Sequence, residues 1–231
     1  MFEHGGNKMK KGFTLTELLL ALTIVGVLAV LTVPILMNNI QNKLFATQIK
    51  NFSAEIEQFA QDQLIVHKTR DLMDTDFGEP SKLLTDGHFS ISKICPGNKT
   101  LTDCWKTTAT GKDKVTYKRI DGTIDNTSIL DAGTTVILKN GVMFRYTTVQ
   151  KGGKDYARFV VDVNGNDKPN IVGRDVFGFL MNSKGHIESY PLNNPDYNHS
   201  SRVNKCKNDN STGLPFYCYS ALVDNGWKMD Y

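Results

Sequence analysis

The chain has 231 residues, with 27 basic and 24 acidic side chains, a formal net charge of +3 and 40% hydrophobic residues. That length suits one anchor plus one globular domain, and so balanced a charge argues against nucleic-acid binding through bulk positive potential. No phosphate-binding loop or metal-protease motif occurs, and His67, His88, His186 and His199 have no nucleophile beside them in a recognisable motif, so the sequence points away from an enzyme.

Lys8, Lys10 and Lys11 precede Gly12-Phe13-Thr14-Leu15-Thr16-Glu17, and twenty uncharged residues, Leu18–Met37, follow. At about 1.5 Å per residue a helix of that length spans roughly 30 Å, the thickness of a bilayer's hydrocarbon core. The basic flank predicts a cytoplasmic N-terminus and an exported C-terminal domain. The run exceeds the apolar region of a removable secretory signal, and no small-x-small cleavage site follows it. A plain signal anchor explains the length but leaves Glu17 as an accident, although a carboxylate at the edge of a span is costly unless compensated.

The stretch Lys10-Lys11-Gly12-Phe13-Thr14-Leu15-Thr16-Glu17-Leu18-Leu19 resembles the leader junction of type IV pilins and type II secretion pseudopilins. The resemblance implies cleavage between Gly12 and Phe13 by a prepilin peptidase, N-methylation of Phe13, and retention of the apolar helix as a filament core. Glu17, fifth from the new terminus, matches the family's acidic position. There it can pair with the α-amino group freed at Phe13, on its own or a neighbouring chain, which offsets its desolvation. Gly12 suits a protease that approaches the backbone closely, and Pro34 matches a proline where the family's helix bends or melts during packing. The implied partners are the prepilin peptidase, other pilin or pseudopilin subunits in a homo- or hetero-polymer, and an inner-membrane assembly platform with its ATPase. The implied location is the inner membrane, single-pass, and then a pilus or pseudopilus. Met9-Lys10-Lys11-Gly12 reads as the beginning of such a leader, so two starts are open, one at Met9 and one at Met1 with a twelve-residue leader. Once Glu3, Lys8, Lys10 and Lys11 are removed with residues 1–12, the 27 basic and 24 acidic side chains fall to 24 and 23.

The expected fold class is α+β and pilin-like: a long N-terminal membrane-spanning helix continues into a head whose antiparallel β-meander packs on the helix's C-terminal half. The expected segments are a leader at 1–12, a transmembrane and filament-core helix at 13–37, an amphipathic helix at 38–68, variable loops at 69–133, and a β-sheet head with a C-terminal disulfide loop at 134–231. Ile40, Leu44, Phe45, Ile49, Phe52, Ile56, Phe59 and Leu64 recur mostly three and four apart, with no Gly or Pro between them, and predict a helix to about His67 with one buried face. From Asp71 to about Asp131 the sequence predicts loops, a short helix near Ser81–Asp86 and a strand at Lys114–Ile120. Thr134–Leu138 and Val142–Val149 flank Asn140-Gly141, a strong hairpin signal. Tyr156–Val163, Val176–Met181 and His186–Tyr190 continue a sheet of four or five strands.

Between two of these strands, Asp162-Val163-Asn164-Gly165-Asn166-Asp167-Lys168-Pro169-Asn170, running on to Asp175, is the best candidate for chemistry. Asp162, Asn164, Asn166 and Asp175 offer alternating oxygens on a Gly turn, a pattern that can wrap Ca2+, which takes six to eight oxygens. The EF-hand template does not fit, because its Gly belongs two residues later and Gly173 stands where a bidentate Glu should be. An ordinary turn is the competing reading, since Asn, Asp, Gly and Pro are turn residues. The segment resembles an Asp-Val-Asn-Gly…Pro-Asn…Gly-x-Asp element of some prepilin-like proteins.

Cys95, Cys104, Cys206 and Cys218 all fall in the part expected to be exported. Of three connectivities, the local pairs Cys95–Cys104 and Cys206–Cys218 are expected, because each brackets a turn-rich segment. Zinc is disfavoured by the lack of a C-x-x-C spacing. The region from Asn193 resembles the disulfide-closed loop near the C-terminus of pilins, with Tyr197, Phe216, Tyr217 and Tyr219 packing it on the sheet or forming a contact surface. The rival from another class is a monomeric, membrane-anchored binding or sensor protein whose N-terminus only resembles a prepilin.

Overall fold

The computed structural model describes residues 12, 14–84, 87–125, 133–192, 194, 196–229 and 231. Helix α1 runs Leu15–Val66 and straddles two compact units, residues 1–41 and 42–231. In the first unit every described side chain is exposed apart from the half-buried Gln41, and among the described residues α1 is the one helix long and apolar enough to cross a membrane. Pro34 sits inside α1 and removes one backbone donor from its ladder, yet the helix continues through it.

In the second unit α1 turns one face inward. Phe45, Ile49, Phe52, Ile56 and Phe59 are buried, spaced four, three, four and three apart, as a helix face requires. Ile40 and Leu44, placed on the same stripe by the sequence, are 44% and 57% exposed, so the buried face begins at Phe45. Beyond α1, short 3₁₀ turns and the one-turn helix α2 (Pro80–Leu83) lead to the sheet.

The sheet is a six-stranded antiparallel meander in sequence order: β1 Ile91–Cys95, β2 Thr134–Leu138, β3 Met143–Lys151, β4 Lys154–Asp162, β5 Val176–Met181 and β6 Ile187–Glu188. Each strand packs against its sequence neighbour, and the β3–β4 turn is Gly152-Gly153 with φ of 58° and 74°. Both residues therefore lie in the left-handed region, which a two-residue type I′ turn demands. Phe144, Phe159 and Phe179 face α1: Phe52 stands 5.2 Å from Phe144 and 6.4 Å from Phe179 between ring centroids. The opposite face carries Arg145 and Arg158. Trp105 covers the first at 5.6 Å, and Phe216 of the C-terminal region covers the second at 5.2 Å.

Three elements differ from the sequence reading. Strand β1 falls where loops are expected, and it adds a sixth strand. Lys114–Ile120, expected as a strand, makes only isolated bridges from Lys118 to Ile124 and Ile171. The C-terminal region, expected as a loop, folds into α3 (His199–Asn208) and α4 (Leu214–Asp224). The Cys206–Cys218 bridge joins these two helices, whose individual patterns are too short to declare themselves. Within α4, Phe216, Tyr217 and Tyr219 are buried, and Tyr197 stacks on Tyr217. The other bridge is Cys95–Cys104, tying β1 to the segment after it.

Candidate functional site

At the start of α1, Thr14 and Glu17 cap the helix reciprocally. The Thr14 N–H and hydroxyl both donate to Glu17 Oε2, at 2.8 and 2.9 Å, and the Glu17 N–H donates to Thr14 Oγ1 at 3.2 Å. This is a capping box, in which side chains three residues apart satisfy the donors that a helix N-terminus leaves open. Glu17 therefore has a local structural task within one chain, which the sequence reading did not assign to it. Thr14 and Glu17 both lie C-terminal to the Gly12–Phe13 bond, so the box does not depend on the leader. Gly12 is exposed and a Cβ there would meet nothing within 4 Å. Phe13 lies outside the described residues.

The loop from Asp162 to Asp175 joins β4 to β5. Asp162 ends β4 and pairs with Val176, while the Val163 N–H donates to Asp175 O at 2.9 Å, so antiparallel pairing sets the two aspartates beside each other. Both are fully buried. Asp162 Oδ2 accepts from the Tyr117 hydroxyl at 2.9 Å, and its Oδ1 from the Asn164 N–H at 3.2 Å. Asp175 takes the Asn170 N–H at 2.7 Å and the Ile171 N–H at 2.6 Å. Burial pushes Asp162 well above the usual carboxylate range, and the charge of Asp175 pushes it further, against the pull of Tyr117 and the Asn164 and Gly165 N–H groups. Burial likewise raises Asp175 to about 6, against the N–H groups that it accepts. The Tyr117 hydroxyl is raised well above its ordinary value, by burial first and then by the charge of Asp162.

The same loop is fastened to several parts of the head. The Asn166 amide donates to Cys104 O at 2.7 Å, next to the first disulfide. Lys118 N donates to Asn170 O at 2.9 Å, and Val172 N to Lys118 O at 2.8 Å. Gly173, at φ +92°, lies so close to the second disulfide that a Cβ would stand 2.9 Å from Cys218 Sγ and 3.0 Å from Cys206 Sγ. Arg174 Nε donates to Asn42 Oδ1 of α1 at 2.9 Å. The structure thus places Asp162, Asn164, Asn166 and Asp175 in one loop, with the Asn170 N–H on Asp175, the Tyr117 hydroxyl on Asp162 and the Asn166 amide turned to Cys104 O. Asn170 carries the only signal that sequence could have offered, its place in Pro169-Asn170; Tyr117 comes from a distant segment and had none.

Residues 7–33 match the family described as the prokaryotic N-terminal methylation motif. This is the signature of type IV pilins and pseudopilins, and the chain carries it across the Gly12–Phe13 junction and most of the uncharged run. The motif implies processing by a prepilin peptidase and assembly with pilin subunits, and together with the apolar helix it supports membrane anchoring. The α+β architecture of a long helix and an antiparallel sheet head is consistent with a pilin-like fold. Comparisons with curated proteins and with solved structures find no match.

Proposed function

We propose that this chain is a structural, non-catalytic subunit of a type IV pilus or a type II secretion pseudopilus, with the size and two disulfides of a minor or specialised member. The observation that carries the reading is the methylation motif at residues 7–33, overlapping an uncharged run that extends to Met37. In this reading the leader is cut between Gly12 and Phe13, and Phe13 becomes an N-methylated terminus. The apolar helix first anchors the chain in the inner membrane with its N-terminus cytoplasmic, and then leaves lipid for a filament core of like helices. Exposed apolar side chains from Leu15 to Met37 require one of those two surroundings. Glu17 Oε2 is held by Thr14, and Oε1 makes no hydrogen bond among the described residues, which leaves it to accept the new ammonium. An inner-membrane platform with its cytoplasmic ATPase drives assembly, and the exported head supplies the filament's surface.

Mass spectrometry of the N-terminus, in whole membranes and in a sheared surface fraction, tests the reading. The expected result is a chain beginning at methylated Phe13. Its presence in the sheared fraction identifies an exposed filament subunit, and its confinement to membranes identifies a short pseudopilus. An uncut terminus overturns the proposal and leaves a membrane-anchored domain.

A further inference from the structure

The β4–β5 loop is a set of acceptors without a donor for all of them. Asn164, Asn166 and Asn170 each have a side-chain oxygen shut off from solvent and without a hydrogen-bond partner among the described residues. Asn170 as a whole is 6% exposed. The orientation of each amide is determined, because its NH2 end is already engaged on a carbonyl. Asn164 donates to Asp167 O at 2.8 Å and Lys168 O at 3.1 Å, Asn166 to Cys104 O at 2.7 Å, and Asn170 to Asn166 O at 3.4 Å. Turning any of them over would set oxygen against oxygen. The same loop carries the carboxylates of Asp162 and Asp175, both fully buried and set side by side by the β4–β5 pairing, with the Asn164 N–H on the first and the Asn170 N–H on the second. Neither forms an ion pair with a Lys, Arg or His among the described residues.

Ordered water can satisfy a lone buried carbonyl. It does not neutralise two adjacent buried carboxylates, and buried charge demands a counter-charge or the loss of its own. A cation answers both needs at once. We propose that this loop binds one calcium ion, with Asp162 and Asp175 as charged ligands and the side-chain oxygens of Asn164, Asn166 and Asn170 as neutral ones. Five side chains supply five to seven oxygens according to how each carboxylate binds, and water completes the six to eight that calcium takes. Magnesium fits less well, because it demands near-ideal octahedral geometry and gives up its water reluctantly. Among the described residues no group of three or more His, Cys, Asp or Glu is placed to hold a metal, so a cation here would depend on the amide oxygens and water for most of its coordination. The ion would sit where the loop meets Cys104, the Cys206–Cys218 bridge and, through Arg174, Asn42 of α1, and would stiffen the head at that junction.

The test uses the full-length chain in detergent micelles, stripped with EGTA. Adding 1 mM CaCl2 is expected to raise the melting temperature of the head by about 4 °C, the shift for a site with the affinity of an extracellular calcium module. MgCl2 at the same concentration is expected to give less than half of that. Asp175→Asn and Asn166→Ala are each expected to abolish or shrink the shift. A direct measurement guards against variants that fail to fold. Terbium bound to the wild-type chain is expected to luminesce on tyrosine excitation, because the Tyr117 hydroxyl lies 2.9 Å from Asp162 Oδ2, and calcium is expected to quench that emission by displacement. Equal melting in CaCl2 and EGTA, with no calcium-displaceable terbium emission, overturns the proposal and leaves a turn held by its own side chains. Displaceable emission that is unchanged in folded Asp175→Asn and Asn166→Ala chains puts the ion elsewhere and overturns it as well. A shift from MgCl2 equal to that from CaCl2 overturns the assignment to calcium.

Discussion

Helix α1 contains two halves with the same backbone and opposite logic. From Leu18 to Met37 the side chains are uncharged and mostly apolar on every side, and all are exposed in a single chain. From Asn42 to Val66 only one stripe, Phe45 through Gln63, is buried, and charged residues such as Lys50, Glu55 and Asp62 lie outside it. The first half answers to whatever apolar medium surrounds it, so its requirement is for hydrophobicity in bulk. The second half answers to one partner, the aromatic face of the sheet, so its requirement is for particular side chains at particular positions. Substitutions should therefore act on the two halves in different ways.

The largest effect is expected at the boundary of the first half. Gly12→Leu should block leader removal, so that immunoblots and intact mass show only uncut precursor in membranes and nothing in the sheared fraction. Its failure to do so would mean that the junction is not read as a prepilin signal. In the second half's partner, Phe144→Ala should cost the head about 3–5 kcal/mol, measured by denaturant unfolding, because Phe144 is fully buried and 5.2 Å from Phe52. Leu28→Ala, an equivalent truncation in the first half, should leave the head's unfolding curve unchanged. Equal losses from the two would erase the distinction between the halves. Replacing Cys206 and Cys218 together by Ser should destabilise the head by about 3 kcal/mol, since the bridge closes a loop between α3 and α4. The smallest effect is expected from Thr14→Ala. It opens the capping box and should speed amide exchange in the first turn of α1 about fivefold while the head's melting temperature stays constant.

Much of the fold is written locally. The uncharged run, the 3–4 spacing from Phe45 to Phe59, and the Asn140-Gly141 and Gly152-Gly153 turns each encode their element within a few residues, and five of the six strands follow from them. Strand β1 does not, because Ile91-Ser92-Lys93-Ile94-Cys95 has no strong alternation and becomes a strand only by pairing with β2. The same holds for α3 and α4, short helices stabilised by their bridge and by packing on each other, with α4 also packed on β5. In the candidate loop, the oxygen-bearing side chains were visible as a pattern. Their burial, the lack of a donor among the described residues for three of them, and the arrival of Tyr117 at Asp162 were not visible.

The sequence by itself determined where the chain is cut in the proposed reading, how long its apolar helix is, and the order of its meander, because each depends on neighbours a few residues apart. Only the tertiary structure decided that the buried stripe begins at Phe45 and not at Ile40, and that the Asp162–Asp175 loop is locked against two disulfides and α1. Those outcomes depend on contacts between segments up to about 130 residues apart, such as Arg174 with Asn42 at a separation of 132. Pairing of that range is settled by packing and hydrogen-bond satisfaction in three dimensions, which no local pattern encodes.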